Sequence, residues 1–124
     1  SNRVSLEFDE SVENTIKAFI NSSALVYAAN NLSIYNKIAF QYKSGEHKLW
    51  INGNEVKTST NTSIPSGLDR LNFDGGNGGN DFYGNTKQLM VFDEALSDEE
   101  LSDLTGQVNT SFAELANFYN YTIL

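Results

Sequence analysis

Two alternating stretches joined by a tight turn restrict this chain more than any other feature. Ile38, Phe40 and Tyr42 alternate with Ala39 and Gln41, the period-two pattern of a strand with one apolar face. Ser44-Gly45-Glu46 turns the chain, and 47–52 returns it with Leu49 and Ile51 on one face and Lys48, Trp50 and Asn52 on the other. Asn52-Gly53 ends the return. Both residues tolerate positive φ, so the pair predicts a type I′ hairpin leading into a strand over 55–58. A chain that commits this much of its length to paired alternation has an antiparallel sheet as its framework.

The same period recurs upstream. Val4, Leu6 and Phe8 alternate with Arg3, Ser5 and Glu7, and a polar turn over 9–13 leads to Ile16, Ala18 and Ile20. Asn21-Ser22-Ser23 reads as a turn and 25–28 as a short strand. Downstream, Leu71 and Phe73 mark a further strand ahead of the glycine-rich stretch 74–81. The segment 84–92 ends in Leu89, Met90, Val91 and Phe92, apolar on both faces, which predicts a central strand covered on both sides. Only the last quarter looks helical. Ser97 and Glu100 form a capping box, Leu101 and Leu104 a buried stripe, and Gly106 a stop. Ser111 and Glu114 repeat the box, with Phe112, Leu115, Ala116 and Tyr119 on one face. Seven or eight short strands predict an all-β antiparallel sandwich over 1–106, with one or two short C-terminal helices and a helical tail over 107–124.

At 124 residues the chain is one domain in size. Sixteen acids against eight bases give a net charge of −8, a surface that repels phosphate backbones and excludes nucleic acid as the expected partner. There is no cysteine, so neither a disulfide framework nor thiol chemistry is available. No apolar run reaches the roughly 20 residues that span a bilayer. The opening Ser1-Asn2-Arg3-Val4 already lies inside an alternating strand, which reads as the interior of a longer polypeptide.

The run 36–53 joins an apolar strand, a short turn and the ending Trp50-Ile51-Asn52-Gly53, and it resembles the strand–hairpin–strand of laminin G-like modules. Leu68-Asp69-Arg70-Leu71-Asn72-Phe73 and Phe82-Tyr83-Gly84-Asn85-Thr86-Lys87-Gln88-Leu89-Met90-Val91-Phe92 resemble the elements that follow in those modules. Ala95-Leu96-Ser97-Asp98-Glu99-Glu100-Leu101 is similar to their Ala-Leu-Ser/Thr-Asp-x-Glu-Leu ending. The closing Phe112-Ala113-Glu114-Leu115-Ala116 and Tyr119-Asn120-Tyr121-Thr122 look like endings of bacteriophage virion proteins. The resemblance implies a jelly-roll of the concanavalin A-like kind and a place in a tail fibre or receptor-binding protein, on a virion surface or otherwise outside the cell. It also implies strands ahead of Arg3, so a partner chain or a second copy is expected to complete the sheet.

Catalysis is not expected. Glycan hydrolysis with retention needs two carboxyl groups about 5 Å apart, and jelly-roll hydrolases carry them on an alternating strand that this sequence lacks. Glu7 and Asp9 share a face, but the remaining acids gather over 93–103 and suit a helix N-terminus. His47, the only histidine, follows a tight turn and reads as exposed. Asp74, Asn77 and Asp81 offer hard oxygen ligands on a flexible loop, which is what calcium takes, although Asx-Gly turns explain the same composition. No cofactor is otherwise required. Sugar binding needs an aromatic platform beside amides and carboxylates. The candidate contacts are Trp50, Asn52, Asn77, Asn80, Asp81 and Tyr83, and for the aromatics packing remains the alternative. The sequence therefore predicts a non-catalytic module for a host-surface glycan or protein. A purely structural assembly unit, joined through the helix over 110–119 and a free sheet edge, is the rival, and a glycan-cleaving enzyme the distant one.

Overall fold

The computed structural model describes residues 2–29, 31–74, 79 and 81–106. Within them the chain forms six strands and one helix: β1 (Val4–Phe8), β2 (Thr15–Ile20), β3 (Ser23–Ala28), β4 (Ile38–Lys43), β5 (Glu46–Ile51), β6 (Asn54–Ser59) and α1 (Asp98–Gly106). The strands make two antiparallel three-stranded sheets, β1-β2-β3 and β4-β5-β6. The antiparallel all-β sandwich is therefore the fold class that alternation predicted.

Register follows from the turns. Lys43 pairs with Glu46 across Ser44-Gly45, and Ile38 with Ile51 at the far end. Asn52 and Gly53 have φ of 49° and 87°, both in the left-handed region that a type I′ turn requires. Parity then sorts the side chains. Ile16 and Ala18 from one sheet meet Leu49 and Ile51 from the other in the inter-sheet core, with Leu25, Tyr27, Ile38, Phe40 and Val56 packed around them. Each fully buried Ile or Leu contributes about 1.5–3 kcal/mol to this stack.

The outer face of the second sheet carries a second cluster, in which Trp50 packs against Leu96, Leu101 and Leu104, with Ala39 and Phe92 beside it. Helix α1 begins as the capping box predicted: Ser97 N–H donates to Glu100 Oε2 at 2.9 Å, and Glu100 N–H to Ser97 Oγ at 3.2 Å. Asp98, Glu99 and Glu100 occupy its first turn, where the exposed N–H groups favour negative charge.

Three expectations are corrected. Leu71 and Phe73 lie in irregular chain, and 84–92 is not a central strand: it holds one isolated bridge, at Phe92, and Leu89 and Val91 are exposed. Met90 and Phe92 are half-buried while Leu89 and Val91 are exposed, so the apolar run alternates, but among the described residues no ladder pairs it. His47 is 2% exposed. Because β5 starts at Glu46, parity aims His47 inward with Leu49 and Ile51, away from the solvent that its position after a turn suggested. The second capping box and the proposed tail lie outside the described residues. Among those described, no helix is long and apolar enough to cross a membrane.

Candidate functional site: an asparagine-lined cleft

The open edge of the sandwich, where β3 lies over β6, holds a cleft of about 420 Å³. Three separate segments build it. Tyr27 and Ala29 come from the end of β3, Asn31, Ile34 and Asn36 from the connection to β4, and Ile51, Asn52, Asn54 and Val56 from the β5–β6 hairpin. Tyr27 reaches the cleft because strand parity turns it toward the core, against which it packs half-buried.

The asparagines divide into two that build and two that are left over. Antiparallel pairing of β4 with β5 sets Lys37 opposite Asn52: Asn52 N–H donates to the Lys37 carbonyl at 2.9 Å, and Lys37 N–H to Asn52 Oδ1 at 3.0 Å. Asn52 Nδ2 donates to Asn36 Oδ1 at 2.8 Å. Asn36 Nδ2 donates in turn to the carbonyls of Asn31 at 3.1 Å and Ile34 at 2.8 Å. These two amides are therefore consumed in holding the 31–36 loop against the hairpin. Asn31 spends only its oxygen, which accepts from Ser33 N–H at 2.8 Å and Ser33 Oγ at 2.6 Å. Asn54 donates one long bond, 3.4 Å, to the Asn52 carbonyl. Among the described residues Asn31 Nδ2, Asn54 Oδ1 and the Tyr27 hydroxyl have no hydrogen-bond partner, so the cleft offers both spare donors and spare acceptors. No lining residue carries a formal charge at neutral pH.

The hairpin tip is fixed from behind by α1. Gly53 N–H donates to Thr105 Oγ1 at 3.0 Å, and Ser102 Oγ donates to the Gly53 carbonyl at 3.2 Å. Thr105 Oγ1 also donates to the Leu101 carbonyl at 2.7 Å. The approach is close enough that a Cβ on Gly53 would lie 3.3 Å from the Gly106 Cα.

A second depression, about 480 Å³, lies between the outer face of the second sheet and the N-terminal turn of α1. Its charges are spent on one another. Lys48 pairs with Asp98, with Glu46 at 3.2 Å and with Glu55 at 3.8 Å. The Asp98 carboxylate foremost holds the Lys48 ammonium above its ordinary range. The Gln41 amide, followed by Lys43 and Lys48, holds the Glu46 carboxyl down to about 2. This cluster ties α1 to the sheet.

The predicted contacts are scattered by the fold. Trp50 is 7% exposed beneath α1, so it presents no face to a ligand: alternation set it opposite Leu49 and Ile51 correctly, but the helix covers that side. Asn52 rims the cleft. Tyr83 is 93% exposed, with Asp81 also at the surface, while Phe82 between them stacks on Phe8 and Phe73 at 5.5 and 6.0 Å. Asn77 and Asn80 lie outside the described residues. Asp74 and Asp81 are both exposed, and among the described residues no three His, Cys, Asp or Glu side chains gather to hold a metal. Glu7 and Asp9 do not form a reactive pair, since Glu7 accepts from Ser5 Oγ at 2.6 Å and Asp9 pairs with Lys17 at 2.7 Å. Tyr27, Asn31, Asn36 and Asn54 were not singled out from sequence. One signal was available: the 43–46 turn fixes the register that brings the start of β4, and hence Asn36, beside Asn52.

Residues 2–102 match the laminin G-type family of the concanavalin A-like lectin/glucanases superfamily. The chain belongs to that superfamily. A fold of this kind is a frame that can carry sites of different chemistry, and the residues of the site decide what it does. Among solved structures, the chain is similar to residues 221–444 of an S-layer domain-containing protein from Clostridium thermocellum, at 18% identity and a TM-score of 0.47. That likeness covers 85% of this chain, which spans 64% of the other. No curated protein matches the chain.

Proposed function

We propose that this laminin G-like chain is a non-catalytic carbohydrate-binding module that holds a glycan in the asparagine-lined cleft. The observation that carries the reading is the composition of that cleft: one tyrosine ring, four carboxamides and the apolar side chains of Ile34, Ile51 and Val56, with no charged group among them. A sugar presents an apolar ring face and a rim of hydroxyls, which aromatic and carboxamide side chains match. Membership of a lectin-containing superfamily agrees with this. The lining holds no carboxylate pair of the kind that hydrolysis uses, so the bound glycan leaves unaltered. The fully exposed Tyr83 with Asp81 is a second contact surface for a longer glycan. Binding requires no metal in this reading.

The wider setting belongs to the same proposal. Display on a virion or another extracellular surface, in several copies, would let weak single sites act together, and the resemblance of the closing segment to phage virion proteins supports it. A second reading, an assembly domain, is favoured by one observation. Leu6 and Phe8, on the inner row of the edge strand β1, are 47% and 50% exposed, an apolar row that a second copy or a partner chain would cover.

Titration of the chain against a panel of neutral and acidic glycans, with and without chelator, tests the proposal. Saturable binding unaffected by chelator, and weakened in Asn54→Ala, is expected. Binding abolished by chelator would restore calcium at the glycine-rich loop. A folded sample that binds no glycan, yet oligomerises reversibly, would replace the lectin reading with the assembly reading.

A further inference from the structure

We propose that the cleft selects neutral glycans bearing an acetamido group. The inference rests on the carbohydrate-binding reading and narrows its ligand. Besides the Tyr27 hydroxyl, the hydrogen-bonding groups left over in the cleft include a carboxamide N–H, on Asn31 Nδ2, and a carboxamide oxygen, on Asn54 Oδ1. A secondary amide is the complement of that pair, since its carbonyl accepts where Asn31 donates and its N–H donates where Asn54 accepts. A hydroxyl satisfies either one but offers no planar pair of opposite groups. The acetamido methyl needs apolar surroundings, and Ala29, Ile51 and Val56 supply them within the same cleft.

Charge sets the other half of the selection. The chain carries a net charge of −8, and no lysine, arginine or histidine lines the cleft. A sugar carboxylate entering it would lose water with no cation to replace it, in a field of the same sign. Uronic and sialic acids are therefore disfavoured even where they carry an acetamido group.

The test is isothermal titration of the intact chain with three probes: methyl N-acetyl-β-glucosaminide, methyl β-glucoside and the methyl glycoside of N-acetylneuraminic acid. The acetamido glucoside is expected to bind about tenfold more tightly than the glucoside, the equivalent of one or two hydrogen bonds with a buried methyl, and the sialoside more weakly than either. Asn31→Asp keeps the oxygen that caps Ser33 and removes the donor. It is expected to erase the preference while thermal unfolding stays cooperative, and Asn54→Ala is expected to reduce it by removing the acceptor. Equal binding of the two glucosides, or a preference for the sialoside, would overturn the acetamido inference and leave carbohydrate binding standing. Failure of all three probes and of every other glycan would overturn both.

Discussion

Trp50 and the charged groups around it show what single side chains contribute here. Its ring is buried under α1 and its Nε1 has no hydrogen-bond partner among the described residues, so its role is volume. Trp50→Ala is expected to cost about 3–5 kcal/mol by opening a cavity. Trp50→Phe is expected to cost much less and to leave glycan binding unchanged, which chemical denaturation and titration would check together. Acid stability also belongs at this scale. Glu46 is held at about 2, below its ordinary 4.5, and Asp9 is displaced in the same direction from 3.8, chiefly by the Lys17 bond. Both carboxyl groups are more acidic folded than unfolded, so their contribution is complete above about pH 4.5 and is lost as pH falls toward 2. Urea midpoints measured across that range should fall on the acid side, and Glu46→Gln should flatten part of the slope.

At the level of elements, the β5–β6 hairpin is the joint between the cleft and α1. Gly53→Ala forces a side chain into a φ of 87° and against the Gly106 backbone, at a cost of about 1–3 kcal/mol. Because Asn52 and Asn54 flank Gly53, the same change is expected to weaken glycan binding, whereas Ser97→Ala should remove about 1 kcal/mol of helix capping and leave affinity intact. Comparing the two variants by denaturation and titration separates positioning from stability. The hairpins and α1 were legible from sequence because their signals are local: parity, Asn52-Gly53 and the Ser97–Glu100 box need no distant partner. The segment 84–92 was misread because an apolar run does not say whether another strand will pair with it. His47 was misread because a turn's nearness hid the parity that turns it inward.

Across the whole molecule, the cleft is a product of assembly. Tyr27, Asn31, Asn36 and Asn54 come to line one cleft only when β3 packs against β6 and the β4–β5 register sets Asn36 beside Asn52. No spacing along the chain announces such a site, which is why only Asn52 was anticipated. The exposed Leu6 and Phe8 belong to this scale as well. If they are an assembly surface, Leu6→Lys should shift the chain toward monomer in sedimentation without altering glycan affinity, since β1 takes no part in lining the cleft. The most direct test of the central claim is a heteronuclear NMR titration with whichever glycan binds best. The cleft account predicts saturable shifts in the side-chain amides of Asn31, Asn36, Asn52 and Asn54 and in the backbone of 27–36 and 51–56, with α1 and Tyr83 little changed at a monosaccharide ligand. Shifts confined to the glycine-rich loop and Tyr83, with the asparagine amides unmoved, would contradict it.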